Sequence, residues 1–197
     1  MLSRCTDRAR KILELANKEA HYFQREYIET EHVLLGMLIE GKGVAGAVLK
    51  HLGIELIKVR WEIERTAAPD RGTVPLGQLP FAPLVRKVIE CAYEEAKKLD
   101  HNYIGGEHLL LSLVRARESV AVTLLTGFGL TTKQVRTEVL EILGMYDLAA
   151  EDSPSDIHAQ DDSIWIRRAT DEDEKTKKTG IWKRLMDWYW SQPEKNN

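Results

Sequence analysis

Tyr27-Ile28-Glu29-Thr30-Glu31-His32-Val33-Leu34-Leu35 returns as Tyr103-Ile104-Gly105-Gly106-Glu107-His108-Leu109-Leu110-Leu111, 76 positions further on and with no gap. The same shift carries Arg10-Lys11, Glu14, Ala16 and Glu19-Ala20 onto Arg86-Lys87, Glu90, Ala92 and Glu95-Ala96. It also carries Leu49, Gly53 and Val59-Arg60 onto Leu125, Gly129 and Val135-Arg136. A period must be read before any single element, because it sets the architecture. Two copies are too few for a solenoid. They predict a pseudo-twofold domain whose halves share one core.

Each copy reads as four helices. Thr6 is a good N-cap, and Ala9, Ile12, Leu13, Ala16, Ala20 and Phe23 follow at the three-and-four spacing of an amphipathic helix that stops near Arg25. A short extended link, Glu26 to Glu29, leads to Thr30, read as the cap of a second helix with Val33, Leu34, Leu35, Met37 and Leu38. Glu31 then falls in the first turn, where a carboxylate suits the positive end of the helix dipole. Gly41 and Gly43 precede a third helix, Val44 to Leu52, with Gly53 as its C-terminal stop, and a fourth runs from about Glu55 to Arg65. The second copy predicts helices of about Pro83 to Leu99, Glu107 to Arg115, Val120 to Phe128 and Thr132 to Leu143. The expected fold is all-α: eight helices in two four-helix repeats, about 3–66 and 79–144, within a domain of residues 1–146.

The connector from Ala67 to Pro80 holds Pro69, Gly72, Pro75, Gly77 and Pro80, and reads as an exposed linker. Beyond the domain, 147–180 reads as an acidic, charged, largely flexible linker. Ser163 to Arg167 within it would pair as an edge strand or lie against the body. Residues 181–191 close the chain with Ile181, Trp182, Leu185, Met186, Trp188 and Tyr189 at helical spacing, a short amphipathic aromatic helix.

Composition narrows the class. The 197 residues are 43% hydrophobic, enough for a core, and no apolar run approaches the roughly 18 residues that span a bilayer. Met1 to Thr6 leads straight into a charged pattern, so no targeting segment is expected and a cytoplasmic location is. Net charge is −3, which argues against nucleic acid as a partner. Residues 1–150 carry 20 basic and 20 acidic side chains, so the repeat body is neutral and the acidity lies in the tail. Cys5 and Cys91 occupy non-equivalent repeat positions, with no metal-ligand spacing, and are expected as free thiols.

Arg4-Cys5-Thr6-Asp7-Arg8-Ala9-Arg10-Lys11-Ile12-Leu13, Ile28 to Leu38 and Gly41-Lys42-Gly43-Val44-Ala45 resemble the N-terminal repeat domain of the Clp/Hsp100 unfoldases, of the ClpC type. Phe81-Ala82-Pro83, Arg86-Lys87-Val88-Ile89 and Tyr103 to Leu111 resemble its second repeat, so the likeness covers about 3–144. In Clp unfoldases this domain precedes ATPase modules with a Gly-rich phosphate loop ending in Gly-Lys-Ser/Thr. The 197 residues hold no such loop; Gly41-Lys42-Gly43 lacks the spacing. The expectation is a stand-alone, non-enzymatic protein-binding module without its motor.

Glu31-His32 and Glu107-His108 invite a metal or catalytic reading, but neighbouring helical residues point about 100° apart and cannot share one ligand. Without a His-Glu-x-x-His, Cys cluster or nucleophile motif, no catalytic residue, metal or cofactor is expected. The resemblance implies instead a pocket for phosphorylated arginine, an acidic residue holding the guanidinium while a helix start and a threonine hydroxyl take the phosphate. Carried over, these are Thr6 and Glu31, with Glu107 in a second pocket where Ala82 stands for the threonine. The resemblance also implies an apolar adaptor surface near the start of each first helix, here Leu2 and Phe81, which packing as a hydrophobic staple would equally explain. Trp182, Leu185, Met186, Trp188 and Tyr189 would dock on the domain itself or on a partner, with a membrane surface the weaker expectation.

The expected role is an accessory or competitor in Clp-dependent unfolding and proteolysis, recognising adaptors or tagged substrates. Alternatives are a structural subunit that stabilises a Clp protease core and a protein that sequesters Clp-directed inhibitors.

Overall fold

The computed structural model describes residues 2–66 and 77–145. The expected edge strand, the acidic linker and the C-terminal aromatic helix, with all five of its docking residues, lie outside the described residues. Within them the helices are α1 (Asp7–Tyr22), α2 (Thr30–Glu40), α3 (Val44–His51), α4 (Leu56–Thr66), α5 (Pro83–Lys98), α6 (Gly106–Arg115), α7 (Val120–Gly127) and α8 (Thr132–Ile142), preceded by a 3-10 turn at Leu2–Arg4. All eight fall within a few residues of the expected spans.

Local chemistry sets their ends. The Thr6 hydroxyl oxygen accepts the Ala9 amide at 3.1 Å, Ser119 accepts that of Val122 at 3.2 Å, and Thr131 and Gln134 form a reciprocal capping box. Pro83 opens α5, where its missing N–H costs nothing. Gly53 and Gly129 follow α3 and α7 with φ of +76° and +82°, the left-handed conformation that lets Ile54 and Leu130 bond back to Leu49 and Leu125.

Two helices form the centre. Every residue from Thr30 to Met37 in α2 and from Gly106 to Val114 in α6 is buried. A helix covered on all sides must be wrapped by others. The amphipathic α1 and α5 cover them within each repeat, and α7 packs on α2 as α3 packs on α6. Each repeat therefore completes the other's core. α8 rests on both α6 and α3, whereas the substantial packing of its counterpart α4 is on α2 alone.

The halves are also laced through the main chain. Thr6 N–H donates to Ile104 O at 2.9 Å and Ile104 N–H to Arg4 O at 2.9 Å. Shifted by one repeat, Ala82 N–H donates to Ile28 O and Ile28 N–H to Pro80 O, both at 2.9 Å. These two parallel bridges, Cys5 with Ile104 and Ile28 with Phe81, tie the start of each repeat to the middle of the other.

Candidate functional site

The bridges bring the sequence motifs to the starts of the two central helices. Thr30, expected as a cap, is the first helical residue of α2, and Glu29 is the N-cap. The Thr30 hydroxyl is drawn away from capping, since it donates to the Glu31 carboxylate at 3.3 Å and accepts the Ala121 amide of α7 at 3.4 Å. The capping role passes to the histidine of the motif. His32 Nδ1 accepts the Glu29 amide at 3.0 Å, and His108 Nδ1 accepts the Gly105 amide at 2.8 Å. Both rings are fully buried.

That geometry fixes the protons. A ring nitrogen that accepts a main-chain N–H carries no hydrogen, so each neutral ring holds its proton on Nε2. His108 Nε2 lies 2.9 Å from His101 Nδ1, and Tyr103 stacks on His101 at 5.1 Å. In the first repeat Arg25 stands at the position of His101, and His32 Nε2 has no hydrogen-bond partner among the described residues. Burial first, and the Arg25 charge second, push His32 down to about 3; burial, then His101, push His108 down to about 4. The histidines are structural capping groups, a role that an Asx- or Ser-based capping rule does not anticipate.

The two glutamates differ. Glu31 is buried, and its carboxyl is pushed well above the ordinary range by that burial and by the neighbouring Glu29. The Glu107 carboxylate curls over Gly105, where a Cβ would collide with it. Glu29 fills that place in the first repeat, and the Glu31 carboxyl is bonded to the Glu29 side chain and to the Thr30 hydroxyl.

Thr6, the other pocket residue expected from the resemblance, caps α1 and is bonded through its amide to Ile104, in the loop that leads to Glu107. Ala82 is bonded to Ile28, in the loop that leads to Glu31. Leu2 and Phe81 are half-buried and pack against the core. Tyr27 and Tyr103, equivalent residues on the same loops, are 43% and 42% exposed.

Among the described residues, His101, Glu107 and His108 form the one cluster whose ligand atoms approach within 4.8 Å of one another. Both ring nitrogens of His108 are already engaged, so a cation there would have to replace a hydrogen bond. Cys5 and Cys91 are buried and unpaired, and burial raises both thiols, Cys91 to about 11. Neither is primed as a nucleophile.

The family model of the Clp repeat (R) N-terminal domain matches residues 4–128 and 80–179. The chain belongs to that family. This Clp repeat domain is 42% identical over 144 residues to an "ATP-dependent Clp protease ATP-binding subunit ClpA homolog" of Guillardia theta and 41% identical over 144 residues to the chloroplastic chaperone protein ClpC1 of Arabidopsis thaliana. Those alignments take in 73% of this chain but only 18% and 15% of the relatives. Among solved structures, the N-terminal domain of the caseinolytic protease associated chaperone ClpD from Arabidopsis thaliana superimposes with a TM-score of 0.62 at 25% identity, over 73% of this chain and 99% of that one. The N-domain of ClpV from Vibrio cholerae gives a TM-score of 0.59 at 21% identity, over 73% and 87%, a likeness of fold alone. The all-α double repeat of the Clp N-domain is thus established, and the shared segment is the repeat domain rather than the rest of the relatives' length.

Proposed function

We propose that this Clp repeat domain is a non-enzymatic protein-recognition module in Clp-dependent unfolding or proteolysis, an accessory to the N-domains of Clp unfoldases or their competitor for adaptors and tagged substrates in a cytoplasmic compartment. The observation that supports it most is the pair of reciprocal main-chain bridges. They set the Thr6-capped start of α1 against the loop of Glu107, and the uncapped start of α5, at Ala82, against the loop of Glu31. Each helix start is thus paired with a loop of the other repeat, and the two pairings are unequal.

The resemblance pairs Thr6 with Glu31, but the Thr6–Ile104 bridge favours Glu107 as the carboxylate that would work with the α1 N-terminus and the Thr6 hydroxyl, a donor and acceptor set that suits a phosphorylated arginine side chain. In the second pairing the hydroxyl is missing and the carboxyl favours its neutral form. Titrating free phospho-arginine against the wild type, Thr6→Ala, Glu107→Ala and Glu31→Ala tests this. Thr6→Ala and Glu107→Ala should weaken the same, tighter site by about tenfold or more, consistent with loss of a charge-assisted contact. Absence of any binding by the wild type would remove phospho-arginine as the ligand and leave adaptor recognition to be tested by pull-down. Recovery of unfoldase, adaptor or substrate proteins supports the accessory reading; recovery of peptidase subunits instead would favour a structural subunit of the protease core.

A further inference from the structure

The internal duplication offers a control for every exposed residue, because the same helix exists twice in nearly the same surroundings. On repeat one, Tyr22, Ile57 and Trp61 are 61%, 80% and 56% exposed. Their counterparts 76 positions on are Lys98, Lys133 and Thr137. The fold itself therefore does not ask for apolar side chains at these positions. Ile57 and Trp61 lie four apart on one face of α4. Tyr22 joins them from α1: its hydroxyl donates to Glu64 at 3.0 Å, and the Arg60 guanidinium sits over its ring at 5.3 Å. Arg65 lies over the Trp61 ring at 5.1 Å, and the indole stays exposed beside it. Among the described residues this is also the helix with less cross-repeat packing than α8 has on α3.

We infer that the Tyr22, Ile57 and Trp61 face is the docking site of this chain's own C-terminal segment, Ile181 to Trp190. Area argues for a tethered occupant. Three side chains of this size present on the order of 500 Å² in all. A free protein partner or a second copy needs about 800 Å² per side for a stable complex. A tethered segment does not, because the tether supplies an effective concentration in the millimolar range. Reach permits it: about 35 residues separate Met145 from Ile181, and a chain of that length with coil statistics spans about 30–35 Å. A domain of about 140 residues has a radius of gyration of about 14 Å, so that span is comparable to the domain's own width. The chemistry is matched as well. Ile181, Trp182, Leu185, Met186, Trp188 and Tyr189 recur at helical spacing, an apolar set of the kind that an exposed Tyr, Ile and Trp face would take. Residues 181–190 lie beyond both family matches, as the apolar face lies outside what the repeat requires.

Hydrogen exchange on the full chain tests the assignment. Wild-type residues 181–190 should exchange more slowly than an unstructured peptide, independently of protein concentration. The double substitution I57K/W61T installs the residues that repeat two carries at the same positions, and should speed that exchange roughly tenfold, as loss of a tethered contact of modest affinity implies. Ile142→Lys, at an exposed apolar residue elsewhere, should leave it unchanged. The reciprocal change L185S/W188S leaves the folded domain untouched and should shift the indole N–H resonance of Trp61. Protection that grows with concentration would assign the face to a second copy, a fully exchanging wild-type tail would free it for an external partner or a membrane, and an I57K/W61T tail as protected as the wild type would place the segment elsewhere. Each of these three results overturns the inference.

Discussion

Arg136 reaches Glu95 at 3.1 Å as Arg60, 76 positions earlier, reaches Glu19 at 2.7 Å. The pair was inherited by both repeats, but its setting was not. Glu95 is 1% exposed and also holds Arg115 at 2.6 Å and Lys98 at 3.1 Å. Burial works to raise its carboxyl, and the three cations more than offset it, so the net shift is downward. Removing the shared carboxylate takes a contact from two arginines and a lysine at once, a larger loss than removing one partner of a simple pair. Glu95→Gln should therefore lower unfolding stability by about 2–4 kcal/mol, and Glu19→Gln by about 1–2 kcal/mol. Equal urea midpoints for the two variants would contradict this ranking.

Acid should loosen the domain before its carboxylates matter. His32 and His108 titrate at about 3 and about 4 when folded, against 6.5 for the free side chain. A base with a depressed folded pKa contributes stability that is complete above pH 6.5 and is lost as pH falls toward the folded value, because the unfolded chain takes the proton first. Urea midpoints measured from pH 7.5 to 5 should fall, and should fall less steeply in His32→Gln. Glu31 has the opposite sign: its raised carboxyl penalises the fold above pH 4.5 and relieves that penalty on acidification. Glu31→Gln should accordingly steepen the acid loss.

Gly36 sits where α2 crosses α1. A Cβ there would strike the main-chain oxygen of Ile12 and come within 3.0 Å of the Ala16 amide, and neither backbone group can swing aside. Gly36→Ala should cost about 2–4 kcal/mol, since the two helices must separate and open their shared core. The counterpart position is Ser112, whose hydroxyl donates to Leu109 O at 3.0 Å. Gly36→Ser should thus be at least as damaging, despite being the residue that repeat two tolerates; thermal melts of both variants decide it.

Thr6 and Ala82 offer a test of capping and of recognition together. Thr6→Ala should lose about 1 kcal/mol with the bond to Ala9. Ala82→Thr, at an N-cap with φ −56° and ψ 152°, should gain up to about 1 kcal/mol. If the two helix starts recognise phosphorylated arginine, Ala82→Thr should also raise affinity at the weaker site. Calorimetric titration beside the melt separates the two effects.

The sequence by itself determined the eight helices and their order. Helix periodicity, the cap at Thr6 and the stop at Gly53 act within a few residues, so they are written where they operate. It also determined the twofold repeat. It could not say which copy of a surface covers which. Two near-identical halves carry the same apolar faces, and periodicity marks a face as buried without naming what buries it.

Only the tertiary structure decided that the halves exchange their starts, with Thr6 bound to Ile104 and Ala82 to Ile28. The same contact chemistry gave the Glu-His motif its meaning. His32 and His108 close their own helix starts, and what meets their other nitrogen, Arg25 nearby in one repeat and a bond to His101 in the other, depends on a residue seven positions back that folding brings alongside. Helix formation is a local balance and legible in order. The pairing of one copy with the other is a long-range packing choice, fixed only when all the faces are buried at once.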